Sequence, residues 1–159
     1  MKIIIKKKSD SKHTITYSRE GFQDYWIEAD DFLVLHDLCH YAIESTLRYK
    51  TAFWGLVSNG VNPSVFENKI TRDALEISNE AWLSEHLANL LLIEFKQGIF
   101  DDINEILEKS LLQQNPSIPF IKISPIELTA IRALHLKLIE NWKAVKDGDY
   151  LSLDFTISA

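Results

Sequence analysis

The period of the hydrophobic pattern changes twice along the chain, and no other feature constrains the fold as much. Near the start it has the period of strands. Ile3 and Ile5 share one face with Ile4 on the other, and after the polar turn Ser9-Asp10-Ser11 the stretch His13 to Tyr17 alternates, with Ile15 and Tyr17 together. Glu20-Gly21 marks a second turn, and Phe22 to Glu28, rich in aromatic and β-branched residues, reads as a third strand. Turns this short imply antiparallel pairing. Residues 31–146 have helical spacing, and residues 150–157 alternate again through Leu151, Leu153, Phe155 and Ile157. The expected fold is α+β, a small antiparallel sheet from both chain ends packed against a helical middle section. A length of 159 residues suits a single domain over 1–159, with strands in 1–28, helices in 31–146 and a final strand in 150–157.

Within the middle section, Asp30 and Asp31 offer an N-cap. Phe32, Leu35, Leu38, Cys39, Ala42, Ile43, Thr46 and Leu47 then recur at helical spacing up to about Tyr49. A shorter helix or turn is expected from Ala52 to Ser58, stopping at Gly60, and a long helix from about Asp73 to Gln97, stopping at Gly98. Phe100 to Gln113 is amphipathic and is broken by the prolines at 116 and 119. Ser124-Pro125-Ile126-Glu127 is a capping box with proline at the first helical position, and its helix is expected to run to about Lys146.

Several function classes fall away. Seventeen basic against 23 acidic residues give a net charge of −6, which argues against a nucleic-acid partner, and Lys6-Lys7-Lys8 is too short for a basic patch. Cys39, the single cysteine, excludes an internal disulfide and a four-cysteine zinc site; its place on an apolar face marks a core residue. No Gly-rich phosphate loop and no nucleophile elbow is present. The isoleucines of Met1 to Lys8 fall short of the roughly 7–15 apolar residues of a secretory signal. Leu87 to Ile93, interrupted by Asn89, falls short of the ~20 needed to span a bilayer. The expectation is a cytoplasmic protein without a membrane partner, acting on a small molecule or a protein. The tryptophans at 26, 54, 82 and 142 read as packing residues, and His13, His86 and His135 as surface or boundary residues, with His86 a reserve ligand.

The chemistry concentrates elsewhere. His36, His40 and Glu44 follow one another at intervals of four, so one helix carries them as a stripe at the edge of its apolar face. Imidazole and carboxylate are the usual ligands of zinc and related divalent ions, and two histidines at i and i+4 form a metal-gripping pair. The long helix is expected to present Ala74, Ile77, Ala81, Ala88, Leu92 and Phe95 to the core, with Glu85 in the middle of that face and Asn89 beside it. A carboxylate aimed at a core must be paired, neutralised or bound to a cation. The joint expectation is one divalent metal, Zn2+ or a relative, held by His36, His40 and Glu85, with Glu44 as fourth ligand or supporting group and one position open to water. Asp37 occupies the place of the glutamate base in HExxH metalloproteases; it and Glu44 are the candidate catalytic carboxylates, although Asp37 could equally orient a histidine. This points to metal-dependent, hydrolase-like chemistry on a small substrate. The alternative is a non-enzymatic interaction module in which the same residues form a structural metal site or a buried hydrogen-bond network. Glu85 could also pair with Arg48 or Arg72, or capture a buried histidine.

The run Leu35-His36-Asp37-Leu38-Cys39-His40-Tyr41-Ala42-Ile43-Glu44, followed by Phe53-Trp54-Gly55-Leu56-Val57-Ser58-Asn59-Gly60, resembles a family of small uncharacterised bacterial proteins. These carry an HDLxHYxxE helix and then an FxGLxxxG segment. The resemblance extends to an initial β-hairpin, to Glu85-His86-Leu87 and to an ending with Trp142, Gly148 and a strand over residues 151–155. It implies the same fold and makes the histidine helix the place to look, and it brings no substrate. The layout is also similar to that of HExxH metalloproteases with a glutamate ligand on a later helix, and less so to a coenzyme Q biosynthesis family with an HDxxH motif. Ala52 stands where that second family has a glutamate.

Overall fold

A computed structural model describes residues 1–157 of the chain; positions 158 and 159 of the expected domain lie outside the described residues. Strands β1 (Lys2–Lys6), β2 (His13–Ser18), β3 (Tyr25–Ala29) and β4 (Tyr150–Asp154) form one antiparallel sheet in the order β3-β2-β1-β4. The register lines up cross-strand rows. Ile27, Ile15, Ile5 and Leu151 make one, and Tyr25, Tyr17, Ile3 and Leu153 the next. Such rows put the apolar side chains of all four strands on a single face. Ile3, Ile5, Ile15 and Tyr17 are fully buried there. The pairing of β1 with β4 continues beyond the strands. The Met1 ammonium donates to the Phe155 carbonyl at 2.9 Å, and the Phe155 N–H returns to the Met1 carbonyl at 2.8 Å.

Seven helices fill the chain between β3 and β4: α1 (Asp31–Leu47), α2 (Phe53–Ser58), α3 (Ser64–Glu67), α4 (Lys69–Asp73), α5 (Asn79–Gln97), α6 (Ile103–Gln114) and α7 (Pro125–Ala144). The expected α+β architecture is the one observed. Helix α1 is central and packs against both α5 and α7. The Asp30 carboxylate caps it at the Leu33 N–H (2.8 Å), and Val34, Leu38, Cys39, Ala42 and Ile43 are buried along it. Tyr41 ties it to the sheet by donating to the Asp154 carbonyl at 2.8 Å. Helix α7 begins with the full capping box of Ser124 and Glu127, and its Trp142 sits edge-on to His13 at 4.9 Å.

Five expectations need correction. The long helix from Asp73 to Gln97 is two elements, because the Ser78 hydroxyl accepts from the Ala81 N–H and starts α5 at Asn79. The core face of α5 is turned from the expected one: Ala88 and Leu92 are buried as expected, but with Leu83, Ser84, Leu87 and Leu91, whereas Ala74, Ile77 and Phe95 are exposed and Ala81 is half-buried. Phe32, in the first turn of α1, is exposed. Trp26 is on the outer face of β3 opposite Thr16, exposed rather than packed. His13 and His135 are buried, not surface or boundary residues: Asp31 holds the His13 Nε2 at 2.9 Å, while the His135 Nε2 has no partner.

Helix α2 depends on Gly55. A Cβ at this position would stand 2.4 Å from the carbonyl carbon of Lys50, so any other residue would push the helix off the backbone that precedes it.

Candidate metal centre

Helix α1 sets His36 and His40 one turn apart, with ring centroids 4.6 Å from each other. Helix α5 packs beside it and brings Glu85 to both rings. The His40 Nε2 is 3.1 Å from Glu85 Oε2, and the His36 Nε2 is 3.6 Å from Oε1. One ligand atom from each of the three residues lies within 4.8 Å of the others, making a two-histidine, one-carboxylate group. Tetrahedral zinc with bonds of about 2.0–2.1 Å separates its ligand atoms by about 3.3–3.4 Å. The two His–Glu85 distances, each to a different carboxylate oxygen, lie on either side of that value.

Accessibility is graded across the group. His40 is buried and His36 partly buried, whereas the Glu85 side chain is 49 % exposed. The group is thus anchored in the α1–α5 seam and opens to solvent on its Glu85 side. The exposed Phe32 ring stacks on His36 at 6.1 Å, and the Asn89 amide donates to Glu85 Oε1 at 3.1 Å. Glu85 does not point into the middle of a core face, as the sequence suggested; it stands at the edge of the seam and captures two histidines. Neither Arg48 nor Arg72 is its observed partner.

Behind each ring stands a second carboxylate. Asp37, itself buried, is 3.8 Å from the His36 Nδ1, and Glu44 is 3.4 Å from the His40 Nδ1. Each is on the side of the imidazole turned away from Glu85. Glu44 is not in the group of three. It is fully buried, and its Oε2 accepts the N–H groups of Trp54 (2.8 Å) and Gly55 (3.2 Å) at the start of α2. Ala52, the N-cap residue of α2, provides no side-chain bond, and the Glu44 carboxylate takes over that role. Ser84 of α5, also fully buried, places its hydroxyl 2.8 Å from the His40 Nδ1 and 3.4 Å from Glu44 Oε1. Sequence reasoning missed Ser84. Its one visible signal is position, directly before Glu85.

The electrostatics follow from this packing. Burial alone would lower the basicity of His40; the Glu44 and Glu85 carboxylates outweigh it and hold its pKa up at about 9. Burial likewise opposes the charge on His36, and Asp37 with Glu85 overcomes it, leaving the pKa raised. His36 and His40 in turn hold the Glu85 carboxyl well below the usual carboxylate range. Burial pushes Glu44 up against the opposing pull of His40 and the two amides. Burial pushes the Cys39 thiol far up as well, in keeping with a core residue.

Ser84, His40 and Glu85 stand in the order of a nucleophilic triad, but the serine is fully buried and no substrate can reach its oxygen. The chemistry open to the site is cation binding at the two Nε2 atoms and Glu85. His86 is directed elsewhere, with its Nδ1 2.6 Å from the Ser110 hydroxyl on α6. Among the described residues, no helix is long and apolar enough to cross a membrane. Comparison with family models, curated proteins and solved structures returns no match.

Proposed function

We propose that His36, His40 and Glu85 hold one divalent cation, zinc or another metal that takes two imidazoles and a carboxylate. The observation that carries this reading is the direction of the rings. Both turn Nε2 toward the Glu85 carboxylate, and the Nδ1 of His40 meets the buried Ser84 hydroxyl at 2.8 Å with Glu44 behind it, the kind of support by which proteins orient metal-binding histidines. Three protein ligands leave a fourth position, on the exposed side of Glu85, for water or a substrate atom. Metal-activated water acting on a small polar substrate is the chemistry such a site supports. On this reading Glu44, on the Nδ1 side of His40, and Asp37, 3.8 Å from the Nδ1 of His36, support the rings and do not take a proton from the metal-bound water. The test is element analysis of untagged protein purified without chelator, followed by zinc titration. About one equivalent per chain is expected, lost in His36→Ala and in His40→Ala; protein that neither carries nor takes up a divalent metal overturns the proposal.

A second reading is favoured by one observation, the bonding of Glu44 to α2, His40 and the Ser84 of α5 at once. Here the cluster is a structural joint of a non-enzymatic interaction module. Chelation separates the two readings: a structural metal is needed for folding, whereas a metal with an open position can be removed from a protein that stays folded.

A further inference from the structure

The His40 ring has a closer neighbour than either carboxylate. At 2.8 Å, the Ser84 hydroxyl is nearer to Nδ1 than Glu44 is. Ser84 has one proton, and Glu44 Oε1 at 3.4 Å is a carboxylate oxygen that accepts it. With its own proton directed to Glu44, the serine oxygen must accept from His40, so the hydrogen at that end of the ring sits on Nδ1. Nε2 is then left with its lone pair facing Glu85 whenever the ring is neutral, which is the form a cation needs. The chain of contacts does not end at Glu44, because its Oε2 is held by the N–H groups of Trp54 and Gly55.

We infer that Ser84 is a positioning residue for the metal centre: it fixes the proton of His40 on Nδ1 and, through Glu44, links the centre to the start of α2. The inference rests on the cation-binding reading and adds to it a residue and a direction of coupling. All three members of the relay are buried, so water cannot substitute for any of them without rearrangement. Gly55 completes the device. Its missing Cβ lets α2 approach Lys50 closely enough for its first N–H groups to reach Glu44.

The experiment compares zinc affinity, by competition with a chromophoric chelator, in the wild type, Ser84→Ala and Glu44→Gln. The nitrogen-bound ring hydrogen of His40 and the backbone amide of Trp54 are followed by NMR in the zinc-loaded proteins. In the wild type, zinc is expected to shift the Trp54 amide, and the Nδ1–H is expected to be protected from exchange. Ser84→Ala should weaken zinc binding by about 10–100-fold, the usual effect of removing such a partner, and should lose the protected Nδ1–H. Glu44→Gln turns Oε1 into a donor, which reverses the relay and drives the proton onto Nε2; zinc should bind more weakly still. If Glu44→Gln fails to fold, Ser84→Ala decides alone. Wild-type affinity, an unchanged ring hydrogen and an unchanged Trp54 shift in Ser84→Ala overturn the role of Ser84 while leaving the metal centre standing. A wild type that takes no zinc overturns both.

Discussion

Helix α5 carries two carboxylates that reach other helices, and the two are satisfied in opposite ways. Toward α7, Glu94 is nearly fully buried and takes both arms of Arg132, Nε at 2.9 Å and Nη2 at 2.7 Å, along with the Phe100 N–H at 3.1 Å. Toward α1, Glu85 is half exposed and faces two imidazole nitrogens. A guanidinium keeps its protons under all ordinary conditions, so the Glu94 pair is permanent. An imidazole can give up a proton and accept a metal in its place. The buried histidines repeat the contrast. His40, set between two carboxylates, has its pKa held up at about 9, whereas His135, whose Nε2 has no partner, is lowered by burial to about 4. One carboxylate of α5 is held by a fixed ion pair, and the other by two imidazoles whose protons can leave.

The sharpest way to break this comparison is to neutralise each carboxylate in turn. Glu94→Gln leaves Arg132 without its counter-charge and is expected to cost about 2–4 kcal/mol, toward the lower end of buried-pair losses because Arg132 is partly exposed. Its zinc affinity should be that of the wild type. Glu85→Gln should cost less than about 1 kcal/mol, since that side chain is half in water, yet lower zinc affinity by at least about 100-fold. Urea unfolding and zinc titration of both variants provide the measurement. Equal losses of stability would show that the two carboxylates are alike.

A smaller effect separates the histidines by pH. The unfolded state binds a proton at His135 near pH 6.5, whereas the folded state resists it down to about 4. Stability is therefore fully present above about pH 6.5 and is lost as pH falls toward 4, by up to about 3 kcal/mol. His135→Leu should flatten that limb. His40 works in the other direction in metal-free protein: its contribution is fully present below about pH 6.5 and disappears as pH rises through about 9. Urea midpoints across this range, in chelator, read both limbs; an acid limb unchanged by His135→Leu would remove His135 from the account. The smallest effect is at the rim. Asn89→Ala deletes the 3.1 Å bond to Glu85 Oε1 and is expected to weaken zinc by roughly threefold, because water can replace an exposed donor.

The parts of this molecule that were legible in the sequence are those written in local spacing. Alternation marks β1, β2 and β4, composition marks β3 though three residues early, Ser124 and Glu127 mark the start of α7, and the interval of four marks the stripe of His36, His40 and Glu44. The spacing points to Glu85 for the wrong reason: the face read as core includes Phe95, which is exposed, and shares only Ala88 and Leu92 with the buried face, so it is turned partway around the helix and sets Glu85 in its middle rather than at the edge. What stayed hidden depends on partners distant in sequence. Glu94 is buried because Arg132, 38 residues later, neutralises it. Ser84 matters through a residue 44 positions earlier. His13 and His135 differ from these: alternation sets His13 on the face of Ile15 and Tyr17, and helical spacing sets His135 with Ile131, Leu138 and Trp142, so their burial follows the local pattern and only their polarity argues against it.

The ladder between β1 and β4 has a consequence for the chain during synthesis. Lys6 pairs with Tyr150, 144 positions later, so at about 5–20 residues per second roughly 7–30 s pass before the second neighbour of β1 is made. Until then the hairpin of β1 and β2 has an open edge carrying Ile3 and Ile5, the kind of template on which nascent chains stick to one another. Lys2 and Lys6 at its two ends and the lysines that follow place positive charge along that edge, so neighbouring nascent chains would repel one another while the last strand is awaited.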